Sequence, residues 1–353
     1  MVILGIDTSC DDTGVGIVRD GEVVANVIAS QTALHAPFGG VMPEQASREH
    51  LSVIEEVVAR SLAEAEMSLG DITAVAATYG PGLVGALLVG LNYAKALAWA
   101  RELPFVRIHH LEGHIASCLG ADSLVDGVDR ADRIEPPFLC LIASGGHTSL
   151  FEVRAWGDYA ELGHSRDDAA GEAFDKVARL LGLSYPGGPA LSKLAEEGDE
   201  HAVDFTLPLR TQTGYDFSFS GLKTAVSVLL QKQPGVERAD VAASFERVAV
   251  ESLVSVTLRA AEVTGHKTLV VAGGVAANRR LRERLAQADL EVHVPPLSLA
   301  TDNGAMIALA AHERLRLGLA SSEFNVADLA TDAVPYLPLA TATLGTERAN
   351  ARS

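Results

Sequence analysis

The sequence is poor in cysteine and has no uninterrupted apolar segment of membrane-spanning length. Its three cysteines, Cys10, Cys118 and Cys140, are odd in number, scattered and without metal-site spacing, which indicates a reducing compartment such as the cytoplasm. The N-terminal residues show no basic region and no long apolar run, so we expect no secretory signal. The longest apolar stretch, residues 83–100, is interrupted by glycine, asparagine and lysine, and predicts a buried helix rather than a membrane span.

Basic residues are also scarce. The 353-residue chain has 28 Lys and Arg against 46 Asp and Glu, a net charge of −18, which opposes unaided binding to nucleic acid phosphates. A compelling Ser/His/Asp or Cys/His nucleophile is lacking too, so we expect no covalent enzyme intermediate. Hydrophobic residues make up 48% of the chain, which is enough to form a substantial core, and 32 glycines are available for turns. The length of the chain indicates two domains.

Two histidines four residues apart, His110 and His114, form the most informative motif of the chain. Residues at this spacing stand on one face of a helix, so both imidazoles can bind one ion. A carboxylate from a distant loop, for which Asp302 is the candidate, would complete a His/His/Asp set with open positions. The alternative is structural: His114 is a satisfied core histidine and His110 caps a turn.

The two histidines do not form a peptidase motif. The H-E-x-x-H motif places its general base directly after the first histidine, and that position is Leu111 here. Glu112 lies two residues from each histidine, about 200° round a helix, and so points away from any ion that they share. The sequence therefore disfavours a metalloprotease.

Strand-like and helical segments alternate along the chain, which predicts an α/β protein. A hairpin is expected at Asp20-Gly21, and a strand–turn–strand theme recurs around Ser144-Gly145-Gly146, which predicts duplicated halves with a cleft between them. We predict strands at residues 2–7, 14–19, 23–29, 72–78, 138–143 and 148–153, and helices at 43–65, 83–101 and 279–286.

The polar, Asp-rich segment 120–135 is the predicted linker. It separates an N-terminal subdomain, residues 1–135, from a C-terminal subdomain, residues 136–322. The last helix of the second subdomain is expected to pack back on the N-terminal half. Residues 323–353 form a tail to which the pattern assigns no structure.

Several glycine-rich and polar segments are candidates for ligand binding. Turn amides at 144–146 can cradle phosphate or carboxylate oxygens, and the glycines of 269–278 permit close approach of a planar ligand before a helix N-terminus. Two segments dense in Gly, Asp and Ser, 167–176 (followed by 185–189) and 215–224, are predicted to be loops that line a site, with Asp175 suited to a ribose or hydroxyl contact. Ordinary turns and surface loops are the alternative.

Eight motifs occur in order along the chain. They are GIDTSCD at 5–11, GPGLVG at 80–85, HHLEGH at 109–114, SGGHT at 144–148, GEAFDK at 171–176, DFSFSGLKT at 216–224, GGVAAN at 273–278 and TDNGAM at 301–306. This set resembles that of the tRNA N6-adenosine threonylcarbamoyltransferases, the TsaD family, over about residues 1 to 320. Members were once labelled O-sialoglycoprotein endopeptidases, a label that Leu111 argues against.

The resemblance implies the ASKHA fold, the actin-like duplicated α/β architecture, with the ligand in an interdomain cleft. The family's metal ligands correspond to His110, His114 and Asp302, which would hold one divalent ion, Fe(II) or alternatively Zn(II). Asp11 falls where the family keeps an acidic residue important for activity. Asp12 stands where relatives often have Glu, and the tail after about residue 322 departs from the family pattern. Positions that match substrate contacts are Ile142, Ala143, Ser144, Gly145, Gly146, Asp175, Gly188 and Asn278.

The implied reaction moves the threonylcarbamoyl group of threonylcarbamoyl-adenylate to N6 of the adenosine beside the tRNA anticodon, and AMP leaves. Asp11 is the candidate general base. The implied partners are tRNA, a shorter paralogous ASKHA subunit (TsaB-like) and a small P-loop ATPase (TsaE-like), with no membrane. The arginines of 279–284 are candidate phosphate contacts. Two alternatives remain: a sugar- or acetate-type kinase on the same fold, and a non-catalytic ASKHA scaffold, which would not need three metal ligands.

Overall fold

The chain divides into two compact units. A computed structural model describes residues 1–120, 134–339 and 342–343; residues 121–133, most of the predicted linker, and most of the chain after 339 lie outside this described part. Unit 1 consists of Met1–Asp122, Arg130–Ile134 and Pro295–Leu339, and unit 2 of Ser123–Asp129, Glu135–Val294 and Ala340–Ser353. Unit 1 is therefore discontinuous: most of it comes from the N-terminal third of the chain and from residues 295–339.

Eleven strands occur in the described residues. In chain order they are β1 (Val2–Asp7), β2 (Asp12–Arg19), β3 (Glu22–Ser30), β4 (Ala74–Gly80), β5 (Phe105–His109), β6 (Phe138–Ala143), β7 (Thr148–Ala155), β8 (Asp158–His164), β9 (Thr268–Ala272), β10 (Glu291–His293) and β11 (Ala342–Thr343).

The same residues form eleven α-helices. They are α1 (Thr32–His35), α2 (Pro43–Glu64), α3 (Val84–Arg101), α4 (His110–Ala116), α5 (Ala170–Leu180), α6 (Gly187–Ala195), α7 (Ser220–Lys232), α8 (Arg238–Thr264), α9 (Arg279–Ala286), α10 (Leu297–Ala300) and α11 (Gly304–Arg316). Short 3₁₀ helices lie at Ala36–Phe38, Leu69–Asp71, Ser117–Gly120, Gly274–Ala277 and Val326–Ala330.

The two units repeat one sheet topology. The sheet of unit 1 has the order β3-β2-β1-β4-β5, in which β1, β2 and β3 are antiparallel and β1, β4 and β5 are parallel. The sheet of unit 2 has the order β10-β9-β6-β7-β8-β11, and β6 to β10 repeat the pairing of β1 to β5. The predicted duplication of an α/β theme is confirmed.

Local sequence signals explain several element boundaries. Asp20 and Gly21 both have positive φ, 50° and 92°, as a tight hairpin between β2 and β3 requires, so the predicted hairpin is confirmed. The predicted helix that starts at Pro43 is confirmed as well. The strand predicted at 72–78 instead runs from Ala74 to Gly80, because a capping box of Ser68 and Asp71 holds the preceding residues in a 3₁₀ turn.

The prediction of loops in two Gly- and Asp-rich segments is partly wrong. Residues from Ala170 onward belong to α5, and residues from Ser220 onward belong to α7. In α5 the buried residues Ala173, Phe174 and Val177 recur at helical spacing and pack into the core of unit 2. This apolar periodicity outweighs the turn-forming composition between its members.

Helix α11 packs directly against β1 and β2 of unit 1, and glycine makes this close approach possible. A Cβ atom on Gly16 would lie 2.2 Å from the backbone nitrogen of Ala305, and one on Gly5 would lie 2.5 Å from that of Ala308. Most residues of α11 are buried. The start of this helix, which follows Asp302, is thus fixed relative to the strand ends of the sheet.

Among the described helices, none combines the length and the apolar character that crossing a bilayer requires.

Candidate metal centre and predicted substrate positions

The carboxyl ends of β1, β4 and β5 meet at one edge of the sheet in unit 1. Helix α4 starts at His110, directly after β5, and carries both histidines, so their four-residue spacing places them on one helical face. Its N-cap is His109, whose side chain accepts a hydrogen bond of 3.1 Å from the Leu111 nitrogen. The alternative in which His110 caps a turn is therefore wrong.

Asp302 comes together with the two histidines, although it is almost 190 residues further along the chain. Ligand atoms of His110, His114 and Asp302 all lie within 4.8 Å of one another. Asp302 Oδ1 is 3.5 Å from His110 Nε2 and 3.2 Å from His114 Nε2. Asn303 caps α11 by accepting from the Met306 nitrogen at 2.9 Å, which fixes the turn that carries Asp302.

The chemistry of these three side chains fits a transition-metal ion. His114 is fully buried, and within the described part of the chain neither of its ring nitrogens has a hydrogen-bond partner, even though Nε2 lies near the Asp302 carboxylate. A buried polar group without a partner is costly, whereas a metal ligand has no such cost. His114 is thus not a satisfied core histidine.

The electrostatics of His110 depend on two carboxylates. Burial lowers the pKa of His110, but the charges of Asp302 and Asp7, with a hydrogen bond to Asp7, outweigh it and raise the pKa to about 9. Asp7 Oδ1 lies 3.4 Å from His110 Nδ1 and also accepts from Thr78 Oγ1 at 2.5 Å. Because a metal ligand must be deprotonated, an ion that binds here has to displace a proton.

Asp7 is a site residue that sequence analysis did not single out. It is fully buried at the end of β1, and its other oxygen, Oδ2, accepts from Ser9 Oγ at 3.1 Å. The available signal was an acidic residue ending a buried apolar strand, a position that is unfavourable unless the carboxylate has partners.

Glu112 points away from the histidines, as predicted. Its carboxylate is buried and accepts three hydrogen bonds of 2.7–3.0 Å from Arg314 of α11. A general base in the peptidase position is thus absent, and Glu112 instead joins α4 to the helix that follows Asp302.

Asp11 lies in the turn between β1 and β2, and Asp12 is the first residue of β2. Asp11 does not belong to the three-residue cluster, and its side chain is half-buried. Burial and the charges of Asp11, Asp302 and Asp7 raise the pKa of Asp12 to about 7, against a hydrogen bond from Ser30 that lowers it. Burial, with the charges of these aspartates, also raises the pKa of the Cys10 thiol. The turn is thus a strongly acidic environment.

The first group of predicted substrate positions lies at the end of β6 in unit 2. Ile142 and Ala143 are the last residues of the strand, and Ser144, Gly145 and Gly146 form the turn into β7. The Ser144 hydroxyl accepts from the His147 nitrogen at 3.1 Å. A Cβ on Gly145 or Gly146 would meet no described atom within 4 Å, so packing within the described residues does not demand glycine there.

The second group, Asp175, Gly188 and Asn278, surrounds helix α6. Asp175 Oδ1 accepts from the backbone nitrogens of Gly187 and Gly188, at 2.8 and 3.2 Å, in the first turn of α6. Asn278 Oδ1 caps α9 by accepting from the Leu281 nitrogen. The structure thus brings these three positions to one helix.

Two residues that sequence analysis missed complete this group. Asn278 Nδ2 donates to Glu246 Oε1 at 2.7 Å and to Ser192 Oγ at 3.1 Å, and Ser192 in turn donates to the same carboxylate oxygen. No sequence spacing links Ser192 and Glu246, because one lies on α6 and the other on α8.

Comparison with known proteins agrees with this geometry. The family model for TsaD, tRNA N6-adenosine threonylcarbamoyltransferase, matches residues 22–309. Proteins of this name from Thermus thermophilus and Caldicellulosiruptor saccharolyticus are 56% and 47% identical to the chain. The alignments cover 96% of this chain in both cases, and 99% and 98% of the two relatives.

Solved structures give the fold. The (R)-2-hydroxyglutaryl-CoA dehydratase component A of Acidaminococcus fermentans has a TM-score of 0.55 at 19% identity, covering 89% of this chain and 98% of that one. Full-length HypF, in its phosphate- and nucleotide-bound form, has a TM-score of 0.58 at 16% identity, covering 91% of this chain and 56% of that one. The predicted ASKHA fold is confirmed.

Proposed function

The chain belongs to the TsaD family of tRNA N6-adenosine threonylcarbamoyltransferases, and from that premise we propose that it moves a threonylcarbamoyl group from threonylcarbamoyl-adenylate to N6 of the adenosine beside the tRNA anticodon. The observation that carries the proposal is the convergence of His110, His114 and Asp302 within 4.8 Å. Such a set is what a metal-dependent transferase needs and what a scaffold does not.

We propose that these three residues hold one divalent ion, Fe(II) or alternatively Zn(II). Two imidazoles and one carboxylate suit these ions better than Mg(II), which prefers oxygen ligands. When bound, the ion supplies Lewis acidity toward the carbamoyl oxygen. The buried ring nitrogens of His114, which have no hydrogen-bond partner among the described residues, support the assignment.

The remaining chemistry falls to the protein's own groups. The adenosine N6 attacks the carbamoyl carbon, the bond from that carbon to the phosphate oxygen breaks, and AMP leaves with the electron pair. We assign Asp11 as the base that takes the N6 proton. Amides of the Gly145-Gly146 turn would stabilise the developing negative charge, and correct positioning of the reactants is worth about 7–11 kcal/mol in favourable cases.

Unit 2 is proposed to bind the adenylate. Ile142 to Gly146 would contact its acyl phosphate, and Asp175, Gly188 and Asn278 its nucleoside. The open space around Gly145, Gly146 and Gly188 supports this, since a Cβ at any of them would meet no described atom within 4 Å.

The proposed partners are tRNA, a TsaB-like paralogous subunit and a TsaE-like ATPase. A net charge of −18 supports a requirement for another tRNA-binding surface. A tRNA substrate and three free cysteines support a cytoplasmic location.

The test is nucleoside analysis of tRNA incubated with threonine, bicarbonate, ATP and the candidate partners. We expect His110→Ala and His114→Ala to abolish both metal binding and transfer while the fold survives. Chelation should stop transfer, and Fe(II) or Zn(II) should restore it only where both histidines remain.

His312→Gln is the matched control, because it changes a buried histidine of unit 1 outside the cluster and should leave transfer intact. If both alanine variants transfer at the wild-type rate and elemental analysis detects no metal, the two histidines have a structural role and do not bind a catalytic ion. Phosphotransfer from ATP to a small molecule without tRNA would instead support the kinase alternative.

A further inference from the structure

The two histidines of the metal centre have different surroundings. His114 Nδ1 has no hydrogen-bond partner among the described residues, whereas His110 Nδ1 faces Asp7 Oδ1 at 3.4 Å. Both Nε2 atoms face Asp302. Only His110 therefore has a carboxylate on the side of the ring opposite the cluster.

The Asp7 carboxylate is itself held in place. Thr78 Oγ1 donates to Oδ1, and Ser9 Oγ donates to Oδ2. Asp7 ends β1 and Thr78 lies on the neighbouring parallel strand β4, so the sheet fixes the position of the acceptor. The carboxylate is fully buried and cannot turn to solvent.

We propose that Asp7 is a positioning residue of the metal centre: it accepts a hydrogen bond from the Nδ1–H group of His110 and thereby presents Nε2 as the ligand atom. A histidine ligand usually donates its second ring N–H to a carboxylate or carbonyl, which fixes the tautomer and makes the ligand nitrogen more basic. This inference rests on the metal binding proposed above.

The roles of Asp7 and Asp302 are then distinct, although both lie beside His110. Asp302 is about a quarter exposed (26%) and lies near the Nε2 atoms of both histidines, as a ligand should. Asp7 is fully buried and lies beside Nδ1 of His110, on the side of that ring away from Asp302. Removing Asp7 should weaken the site without removing a ligand.

The experiment measures Zn(II) and Co(II) affinity of the full chain by competition with a chromophoric chelator. Asp7→Ala should weaken binding about 10- to 100-fold, the range for such supporting partners, and should shift the Co(II) d–d spectrum. Asp7→Asn keeps the shape but loses the charge, and we expect an intermediate loss.

Glu313→Gln is the matched control, since it neutralises a buried carboxylate of unit 1 that pairs with Arg316 and not with a ligand. It should lower the melting temperature of metal-free protein without changing metal affinity or the Co(II) spectrum. If Asp7 had a purely structural role, its variants would likewise have a lower melting temperature with unchanged metal affinity and an unchanged Co(II) spectrum.

Wild-type affinity and spectrum in folded Asp7→Ala would overturn the inference. Where that variant does not fold, wild-type values in Asp7→Asn overturn it. Failure of the wild-type chain to bind either ion would instead overturn the metal centre itself, so the two failures are distinguishable.

Discussion

At the scale of single residues, the first residue of β2, Asp12, has a carboxyl group whose ionisation opposes folding. Burial, with the nearby aspartates, raises the pKa of Asp12 to about 7, so the folded protein holds this proton more tightly than the unfolded chain does. The stability that Asp12 contributes is present below about pH 4 and is lost as the pH rises through about 7.

We therefore expect Asp12→Asn to become progressively more stable than the wild type between pH 4 and pH 8, in metal-free protein unfolded by urea. Asp20→Asn is a control without this trend. The N-terminal amine lowers the pKa of Asp20 below its ordinary value of 3.8, so its contribution is lost only as the pH falls below that value, and the difference from wild type should stay nearly constant between pH 4 and pH 8. A constant difference between Asp12→Asn and wild type across this range would contradict the assignment.

The three residues of the candidate metal centre were predictable from sequence, and the residues that contact the predicted site positions were not. His110 and His114 are recognisable in the sequence by their four-residue spacing, because residues at that spacing lie on the same face of a helix. Asp7 contacts His110, and Ser192 and Glu246 contact each other, across elements that are distant in sequence and meet only in the folded protein. Glu246 also accepts a hydrogen bond from Asn278 in the same way. For such contacts no local pattern exists.

At the scale of elements, the positions of the proposed ligands His110, His114 and Asp302 depend on how α4 packs against α11. Gly113 permits the contact, because a Cβ there would lie 2.8 Å from the Ile307 side chain. The buried Glu112 and its partner Arg314 lock the two helices together. One helix carries both histidines and the other directly follows Asp302.

Removing the guanidinium by Arg314→Met should lower the free energy of unfolding by about 3 kcal/mol, because a buried carboxylate loses its main ionic partner. The double variant Glu112→Gln/Arg314→Met should recover part of the loss. Urea unfolding gives the free energy of unfolding of the wild type, of Arg314→Met and of the double variant.

Arg60→Met is the control for this pair. Arg60 and Glu56 are 3.9 Å apart and mostly exposed on α2, and breaking such a pair should change stability by less than about 0.5 kcal/mol. Equal effects at Arg314 and Arg60 would show that the buried pair does not hold the helices.

Sequence patterns located most of the elements tested, and failed where composition and periodicity disagreed. The β2–β3 hairpin and α2 carry unambiguous turn and cap residues. In α5, by contrast, Gly171 and Asp175 favoured the prediction of a loop, although neighbouring apolar residues recur at helical spacing and are buried. The apolar face decides the conformation, because burial against the core outweighs local turn preference.

At the scale of the whole molecule, net charge limits what the chain can bind alone. The arginines proposed as phosphate contacts are largely engaged: Arg279 pairs with Glu196, Arg280 with Glu200 and Arg284 with Glu251. Few of the cations in this cluster are therefore available to neutralise phosphates.

We expect weak tRNA binding by the isolated chain and at least about tenfold tighter binding once a TsaB-like subunit is added, measured by filter binding at one fixed salt concentration. A salt titration of both samples gives the number of phosphates neutralised, which should be larger in the complex. Equally tight binding by the isolated chain would contradict the need for a partner.

The discontinuity of unit 1 has a consequence for the order of events on the ribosome. Gly5 and Gly16 leave the ribosome early, but the helix that lies against them starts at Gly304. At about 5–20 residues per second, this interval lasts about 15 to 60 seconds. Unit 2 is synthesised almost entirely before α11, the helix that completes the packing of unit 1, leaves the ribosome. During translation the face of the N-terminal sheet that α11 covers therefore stays exposed, and the cluster of His110, His114 and Asp302 is completed among the last features of the nascent protein.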